Sequence, residues 1–381
     1  MGKAFELEAG GAKPGTDIAR HFRQVEESSY LLLAKDEVSW IRERRTPDRA
    51  VEAFLSLGCG VQALPHIMQD SVAVLDALGV SFAAGGGRQF CCGNPYRGDG
   101  SLEAADRLTE ASVERMLAWG AKTVVHWCTA CEITFGAWSR GDATVWTGGV
   151  HRPLGAPARS EGEAFANVQI HTFLAERIRV LGDRVPWKKE IRARVLVEGH
   201  PELTDVHNVA RSGTAQLLAL VPGVEVLGYV DPPATFFPPG RNCTNALTEM
   251  TETDVRTMRD ELAVQARARG ADTISCQHHN CHRTWSRFSS DALAVRQAVS
   301  IVADALGVGH PDRYQTAAKM GDPRAVVAHT RALWESWGLD EPEAEGIARR
   351  LFDPKYAERP SCPCGGDVSK CAEGQAFAIG P

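Results

Sequence analysis

Five cysteines in the N-terminal half of the chain have a spacing that suits a metal centre. Thirty-one residues separate the first from an adjacent pair, thirty-five more follow, and two residues separate the last two. In order these are Cys59, Cys91, Cys92, Cys128 and Cys131. Thiolates are soft ligands that suit zinc and iron–sulfur clusters. Because zinc and a cubane cluster take only four protein ligands, five thiolates predict an opened iron–sulfur cluster with additional iron coordination.

The composition narrows the class of protein. The chain has 381 residues, enough for two domains that each bury a core, and 44% of them are hydrophobic. The net charge of -6 argues against nucleic-acid binding. The sequence has no run of eighteen apolar residues, so no membrane-spanning helix is expected. Residues 1–17 lack the apolar core of a secretory signal, so we expect a cytoplasmic protein. In that reducing compartment, clustered cysteines bind metal or perform redox chemistry more often than they cross-link the fold.

Two halves of the chain share the same order of elements. Buried strands are predicted over 53–57 and over 194–198. Each is followed by a helical segment, a turn with cysteine, an amphipathic helix and another strand. Alternating strands and helices predict α/β units with mostly parallel sheets, whose ligands lie at the carboxyl ends of the strands. We therefore expect an α/β fold with two tandem, pseudo-repeated domains that have parallel-sheet cores, followed by a helical C-terminal extension.

The repeat also predicts a second metal site. Aligning Gly120 with Gly270 without gaps places His278 opposite Cys128 and Cys281 opposite Cys131, and Asn242 replaces one of the adjacent cysteines. The remaining ligand-type residues of this second set are His200, Cys243, His278 and Cys281. Two cysteines and two histidines are a common closed set for tetrahedral zinc. A His-ligated iron–sulfur cluster and an empty site with ordinary polar histidines are the alternatives.

At its first cysteine set the chain resembles the cysteine-rich, or CCG, domain family. The family pattern is a cysteine, a Cys-Cys-Gly step and a Cys-x2-Cys step, which here are Cys59, Cys91-Cys92-Gly93 and Cys128-Thr129-Ala130-Cys131. The resemblance spans roughly residues 50–290, and the family includes the B-type subunit of heterodisulfide reductase, to which this motif is similar. It implies a non-cubane 4Fe–4S cluster on the five cysteines and a redox function on disulfide, thiol or persulfide sulfur.

The family places substrate between two clusters, whereas this chain keeps one full motif. The resemblance implies a small disulfide or thiol substrate and an electron partner that is a ferredoxin-like iron–sulfur protein, similar to the C-type subunit of heterodisulfide reductase, with a flavoprotein as a further partner. The sequence itself has no ferredoxin-type cysteine run, dinucleotide fingerprint or P-loop, which also predicts that electrons pass through a partner. The alternative is a non-catalytic electron-transfer or assembly subunit with one iron–sulfur cluster and a structural zinc.

Three further side chains are candidates to transfer protons or to stabilise charge near the cluster, namely His66, Arg88 and His126. Each of these residue types is more often structural than catalytic. If the register of the second half is shifted, His279, His282 and Cys276 are alternative ligands of its site. The spacing of Cys362, Cys364 and Cys371 matches no metal motif, and no role is predicted for them.

The expected organisation has five parts. They are an N-terminal extension (1–48) with a helix near 18–35, the first domain (49–140), a linker with a connecting helix (141–190), the second domain (191–290), and a helical extension with a cysteine-containing tail (291–381). Helices are expected near 292–306, 323–337 and 341–352, packed on the second domain.

Overall fold

The computed structural model describes most of the chain. The described residues are 18–38, 50–98, 100–147, 150–155, 165–199, 205–231, 252–287 and 289–352. Within them lie two four-stranded parallel sheets and many helices, which confirms the expected α/β class.

The first sheet is built around a strand whose residues are all buried. Its strands are β1 (Ala53–Gly58), β2 (Phe82–Gly86), β3 (Thr123–His126) and β6 (Ala166–Gln169). Every β1 residue is buried, as is usual for a central parallel strand that is covered on both faces. The sheet order is β2-β1-β3-β6, and all three pairings are parallel. Helix α1 (Ile18–Leu32) precedes the first strand in sequence. The helices between the strands are α2 (Pro65–Ala77), α3 (Asn94–Gly98), α4 (Leu102–Leu117) and α5 (Thr129–Arg140).

A short antiparallel pair separates the two sheets in sequence. It consists of β4 (Thr144–Thr147) and β5 (Val150–Pro153). After β6, the helix α6 (Ile170–Leu181) leads into the second half.

The second sheet repeats the topology of the first. Its strands are β7 (Ala193–Glu198), β8 (Val224–Val230), β9 (Thr273–Cys276) and β10 (Ala294–Gln297), in the order β8-β7-β9-β10. In both halves the strand order is therefore second, first, third and fourth, and all pairings are parallel. The intervening helices are α7 (Asp205–Leu218), α8 (Glu252–Ala268) and α9 (His279–Ser286).

The fourth strand of each sheet lies beyond residues 140 and 290, the expected ends of the two domains. In the second half this corrects the helix expected to begin near 292, because 294–297 extend along β9 and the helix α10 (Ala298–Leu306) starts only after them. The expected helix over 323–337 is divided at Thr330 into α12 (Pro323–His329) and α13 (Arg331–Ser336). The division into domains stays a prediction.

The remaining helices join the ends of the described chain. They are α11 (Arg313–Met320) and α14 (Glu341–Phe352), and α14 packs against α1 near the N-terminus. Arg350 donates to both carboxylate oxygens of Glu27, at 3.0 and 2.8 Å, across this contact. Helix α10 packs on α2 of the first half, so the C-terminal helices do not pack on the second domain alone.

Three apolar clusters hold these layers together. The largest contains residues of both halves, including Leu55 of β1 and Val195 of β7. Because side chains alternate along a strand, Phe54 contributes to a second cluster on the opposite face of the first sheet, and Leu196 to a third in the second half. The shared central cluster fixes the two sheets relative to each other.

Candidate metal centre

Three of the five cysteines lie at the carboxyl ends of two neighbouring strands. Cys59 follows β1 directly, Cys128 is the N-cap residue of α5, and Cys131 lies in the first turn of that helix, shortly after β3 ends. Since β1 and β3 are hydrogen-bonded parallel neighbours, their carboxyl ends share one edge of the sheet. Parallel sheets place ligand sites at this edge.

The adjacent cysteines are held by the helix that follows them. The Ser112 hydroxyl donates to the carbonyl of Cys91 at 2.9 Å, and the Thr109 hydroxyl lies 2.9 Å from the carbonyl of Cys92. The guanidinium of Arg97, which is fully buried, donates to Thr109 Oγ1 at 3.1 Å. These contacts tie the two-cysteine turn to α4.

Two glycines next to the cysteines have backbone conformations and surroundings that exclude a side chain. Gly93 has φ +81°, and a Cβ there would lie 2.6 Å from the carbonyl oxygen of Ala105, so the residue after the cysteine pair must be glycine. Gly58 has φ +65°, and a Cβ there would lie 3.4 Å from Cys131 Sγ. A side chain at either position would be strained, and at Gly58 it would also occupy space beside a candidate ligand.

The structure brings all five thiols into one continuous chain of contacts. Cys91 Sγ lies 3.5 Å from Cys59 Sγ. Further hydrogen bonds join Cys91 to Cys92, Cys92 to Cys131, and Cys131 to Cys128. The seven cysteines of the described ranges form no disulfide. Five sulfurs from three separate segments of the chain thus lie in one group.

Hydrogen bonding divides these thiols into donors and acceptors. The bond from Cys131 lowers the pKa of Cys128 to about 6, and the bond from the same residue lowers the pKa of Cys92. Hydrogen bonding to Cys128 raises the pKa of Cys131, and hydrogen bonding to Cys59 raises that of Cys91. Loading of a metal centre requires thiolates, so it would release protons from Cys91 and Cys131.

Access to the sulfurs is one-sided. Cys91, Cys92 and Cys131 are buried, with at most 3% of their surface exposed. Cys59 and Cys128 are half-buried. A molecule approaching from solvent would therefore meet Cys59 and Cys128 first.

Two buried imidazoles of the second half lie beside the segments of the half-buried Cys59 and Cys128. His278 is the N-cap residue of α9, the same place that Cys128 has in α5, and its Nε2 lies 3.5 Å from Cys128 Sγ. Its Nδ1 accepts from the backbone N–H of Asn280 at 3.3 Å, so the proton of the neutral ring is on Nε2 and is directed at the sulfur. The ring of His279 contacts Gly60, where a Cβ would lie 2.7 Å from its Nε2.

The structural equivalent of Cys131 in the second half has a different partner. Cys281 is fully buried and hydrogen-bonds to the carboxyl group of Glu198, which also accepts from Trp285 Nε1 and Cys276. Burial raises the pKa of Glu198 to about 7. The Cys281 thiol therefore lies against a buried carboxyl group.

The second metal set stays a prediction. His200 and Cys243 lie outside the described residues. Of the two ligands that are described, His278 contacts Cys128 and Cys281 contacts Glu198.

The three residues proposed to assist protons are in different environments. Arg88 is exposed. His126 is buried, its Nε2 lies 2.7 Å from Asn167 Oδ1, and burial lowers its pKa to about 4. His66 lies beside His282 and Asp312, in a group that is described below. Their roles stay predictions.

Sequence reasoning missed Glu198 and Asp312 as members of polar groups around these sites. Glu198 is the last residue of a central strand, and a charged residue directly after the apolar run Val195–Val197 is a signal that could have identified it. Asp312 lies outside both repeats and just before a C-terminal helix, so no local pattern links it to the cysteines.

Comparisons with known proteins agree with the cysteine pattern. A family described as a cysteine-rich domain (CCG) matches residues 55–136. The chain is also distantly related to the D-type subunit of dihydromethanophenazine:CoB–CoM heterodisulfide reductase. It is 28% identical to the Methanosarcina mazei protein over 171 residues, covering 44% of this chain and 37% of that protein. It is 26% identical to the Methanosarcina barkeri protein over 295 residues, covering 73% of this chain and 65% of that protein. The chain thus spans less than two thirds of these relatives' length.

The described helices are too short or too polar to cross a membrane. Within the described ranges, none combines the length and apolar character that a transmembrane helix needs.

Proposed function

We propose that this chain is an iron–sulfur redox subunit whose five cysteines, Cys59, Cys91, Cys92, Cys128 and Cys131, hold one non-cubane 4Fe–4S cluster. The observation that carries the proposal is the continuous chain of contacts among five sulfurs from three segments. Four thiolates would complete a zinc or cubane site, so a fifth converging thiol favours a larger, opened cluster.

The residues present fit such a group. Three of the sulfurs are buried and two are half-buried, and Gly58 leaves the space beside Cys131 Sγ without a side chain. When bound, the cluster supplies one-electron transfer and iron that can accept a sulfur ligand. The chain provides the soft ligands, the burial and an open side at Cys59 and Cys128.

The chemistry that we propose is the two-electron reduction of a small disulfide or persulfide, or the reverse oxidation of the thiols. Reduction of one disulfide to two thiols consumes two electrons and two protons. The Nε2–H of His278 is directed at Cys128 Sγ, so it can donate a hydrogen bond that stabilises a departing thiolate, and the two protons are taken up from solvent. The names of the relatives include heterodisulfide reductase, which supports this substrate class, although those relatives are D-type subunits and the cysteine pattern is similar to that of the B-type.

Electrons would come from a partner protein. The favoured partner is a ferredoxin-like iron–sulfur protein similar to the C-type subunit of heterodisulfide reductase, and a flavoprotein is a further candidate. The cytoplasm is the compartment in which free clustered thiols would persist.

Metal and sulfide analysis of the anaerobically purified chain tests the cluster. We expect about four iron and about four sulfide per chain. Cys131 and Cys281 occupy equivalent positions in the two repeats, so Cys131→Ser and Cys281→Ser form a matched pair. Cys131→Ser should lose the cluster and Cys281→Ser should keep it. Iron absent from the wild-type chain, or lost equally from both variants, would contradict the proposal.

The burial of Cys91, Cys92 and Cys131 favours a second candidate function, in which the cluster only relays electrons. In that case the chain is an electron-transfer or assembly subunit, with zinc on His200, Cys243, His278 and Cys281. Addition of a disulfide to the reduced chain separates the two. Catalysis predicts a new paramagnetic signal from the cluster in the presence of the disulfide, whereas relay predicts an unchanged signal. Zinc that is lost in Cys281→Ser would support the second site.

A further inference from the structure

A second group of ligand-type side chains is formed by His66, His282 and Asp312. His66 Nδ1 lies 3.3 Å from Asp312 Oδ1, and His282 Nε2 lies 2.6 Å from Asp312 Oδ2. One ligand atom from each residue lies within 4.8 Å of the other two. The residues come from α2 in the first half, from α9 in the second half and from the N-cap of α11. Folding alone brings them together, since they are far apart in sequence.

The two imidazoles in this group are shielded from solvent. His66 is 3% exposed and His282 is 1% exposed, while the Asp312 side chain is 22% exposed. Among the described residues none hydrogen-bonds to His66 Nδ1, although the Asp312 carboxylate lies beside it. A buried ring nitrogen without a hydrogen bond is costly to the fold, and a metal ion would satisfy it.

A second buried carboxylate adds negative charge. Asp70 is fully buried and lies one helical turn after His66. Its Oδ1 accepts from the backbone N–H of His310 at 2.8 Å and lies 3.0 Å from His310 Nδ1, whereas its Oδ2 has no hydrogen-bond partner. Asp312 and Asp70 thus place two carboxyl groups near the two imidazoles in a largely dry environment. Both would stabilise a divalent cation bound here.

We propose that His66, His282 and Asp312 bind one divalent transition-metal ion, zinc or ferrous iron. Two imidazoles and a carboxylate suit these metals, whereas calcium and magnesium prefer sites made only of oxygen. Zinc ligand atoms lie about 3.4 Å from one another in a tetrahedron. The His66–Asp312 separation of 3.3 Å matches this value, and the 2.6 Å contact of His282 with Asp312 would lengthen when the ion binds. The ion would join both halves of the chain to the C-terminal helices.

This site is separate from the cysteine cluster and from the second set of the repeat. Its ligands include no sulfur, and it does not depend on the proposed redox function. His282 lies one turn after His278 on α9, so the two sites share a helix while using different side chains. A spectroscopic probe that distinguishes nitrogen and oxygen ligands from thiolates can therefore tell them apart.

The test uses the full chain with its cluster, treated with a chelator under argon and then titrated with Co²⁺ alone. We expect one equivalent of Co²⁺ to bind with visible d–d bands and without a thiolate-to-cobalt charge-transfer band, and to raise the melting temperature. Asp312→Asn retains a good helix cap, because asparagine can also accept from Gln315 N, yet it removes the charged ligand. This variant should bind Co²⁺ at least about 100-fold more weakly, since even outer-shell changes cost 10- to 100-fold.

The control is His171→Leu, which removes a buried histidine that has no hydrogen-bond partner at either ring nitrogen. It should bind Co²⁺ like the wild-type chain. The proposal is wrong if wild-type protein binds no Co²⁺ with this spectrum, or if Asp312→Asn binds it equally well. It is also wrong if Cys281→Ser removes the bound ion. Because the wild-type spectrum decides by itself, the test remains valid even if a variant fails to fold.

Discussion

Cys128 of the first repeat and His278 of the second occupy the same place in their repeats, and their Sγ and Nε2 atoms lie 3.5 Å apart. The carboxyl ends of the third strands of the two sheets therefore face each other. At this meeting point the second half presents an imidazole in place of the thiolate expected from a full repeat. The second half thus contributes to the surroundings of the five-cysteine group.

Replacement of His278 by glutamine should make Cys128 less reactive in the cluster-free chain. The pKa of Cys128 is lowered to about 6 first by Cys131 and also by the hydrogen bond from His278. If loss of that bond raises the pKa by about one unit, the thiolate fraction at pH 6 falls about fivefold. Alkylation by iodoacetamide, located by tandem mass spectrometry, measures this rate. His329→Gln, an exposed histidine on α12, should leave the rate unchanged. Equal rates in wild type and His278→Gln would show that this contact does not act on the thiol.

Gly60→Ala should displace the ring of His279. Gly60 has φ -88° and ψ -21°, which alanine adopts without strain, but the new Cβ would lie 2.7 Å from His279 Nε2. Overpacking of this kind costs about 1–3 kcal/mol. Urea unfolding of Gly60→Ala, His279→Ala and the double variant measures the coupling, and the double variant should be more stable than additivity predicts.

The matched control for this substitution is Gly346→Ala in α14. A Cβ there would lie 3.5 Å from Arg350, so it should be neutral or stabilise the helix by up to about 1 kcal/mol. Additive effects of Gly60→Ala and His279→Ala would mean that the two residues do not contact each other in solution.

Stability should fall below neutral pH because of His171. Burial lowers the pKa of His171 from 6.5 to about 4, and neither ring nitrogen has a hydrogen-bond partner. The full contribution is present above pH 6.5 and is lost as the pH falls toward 4, because the unfolded chain takes up the proton first. Between pH 7.5 and pH 5 the loss should be about 2 kcal/mol.

The pH dependence of unfolding in wild type and His171→Leu measures this contribution. The variant should lose less stability over the same interval, by about the stated amount. Parallel curves for the two proteins would exclude His171 as the cause.

The ion pair between Arg97 and Asp106 predicts different losses of stability for a single and a double variant. Arg97 Nη1 lies 2.6 Å from Asp106 Oδ1, and Arg97 is fully buried whereas Asp106 is partly exposed. Asp106→Ala leaves a buried cation without its anion and should destabilise the protein by about 3–5 kcal/mol. Arg97→Met with Asp106→Ala removes both charges and should be less destabilised than Asp106→Ala alone. Denaturant unfolding of wild type and these two variants checks this order.

The α/β class and the convergence of the first cysteine set could be predicted from sequence for physical reasons. Buried parallel strands are encoded by continuous apolar runs such as Ala53–Leu57, and glycines mark the turns that follow them. The alignment of Gly120 with Gly270 also placed Cys128 and His278 correctly, as both cap the helix after the third strand.

The features that sequence did not predict depend on long-range contacts. The sequence predicts a helix over 294–297, but these residues form a short strand. Their extended conformation is stabilised by the pairing with β9, which no local pattern indicates. Likewise the partnership of Cys281 with Glu198, and of His66 with Asp312, joins residues on different elements. No local periodicity records such contacts.

The two sheets share one strand order although the second half has His200, Asn242 and His278 where the first has cysteines. The order is therefore set by apolar strands and helix packing, and the five thiolates are not needed for it. We therefore expect the chain to fold before iron is loaded, so that assembly of the cluster would be a separate and later event.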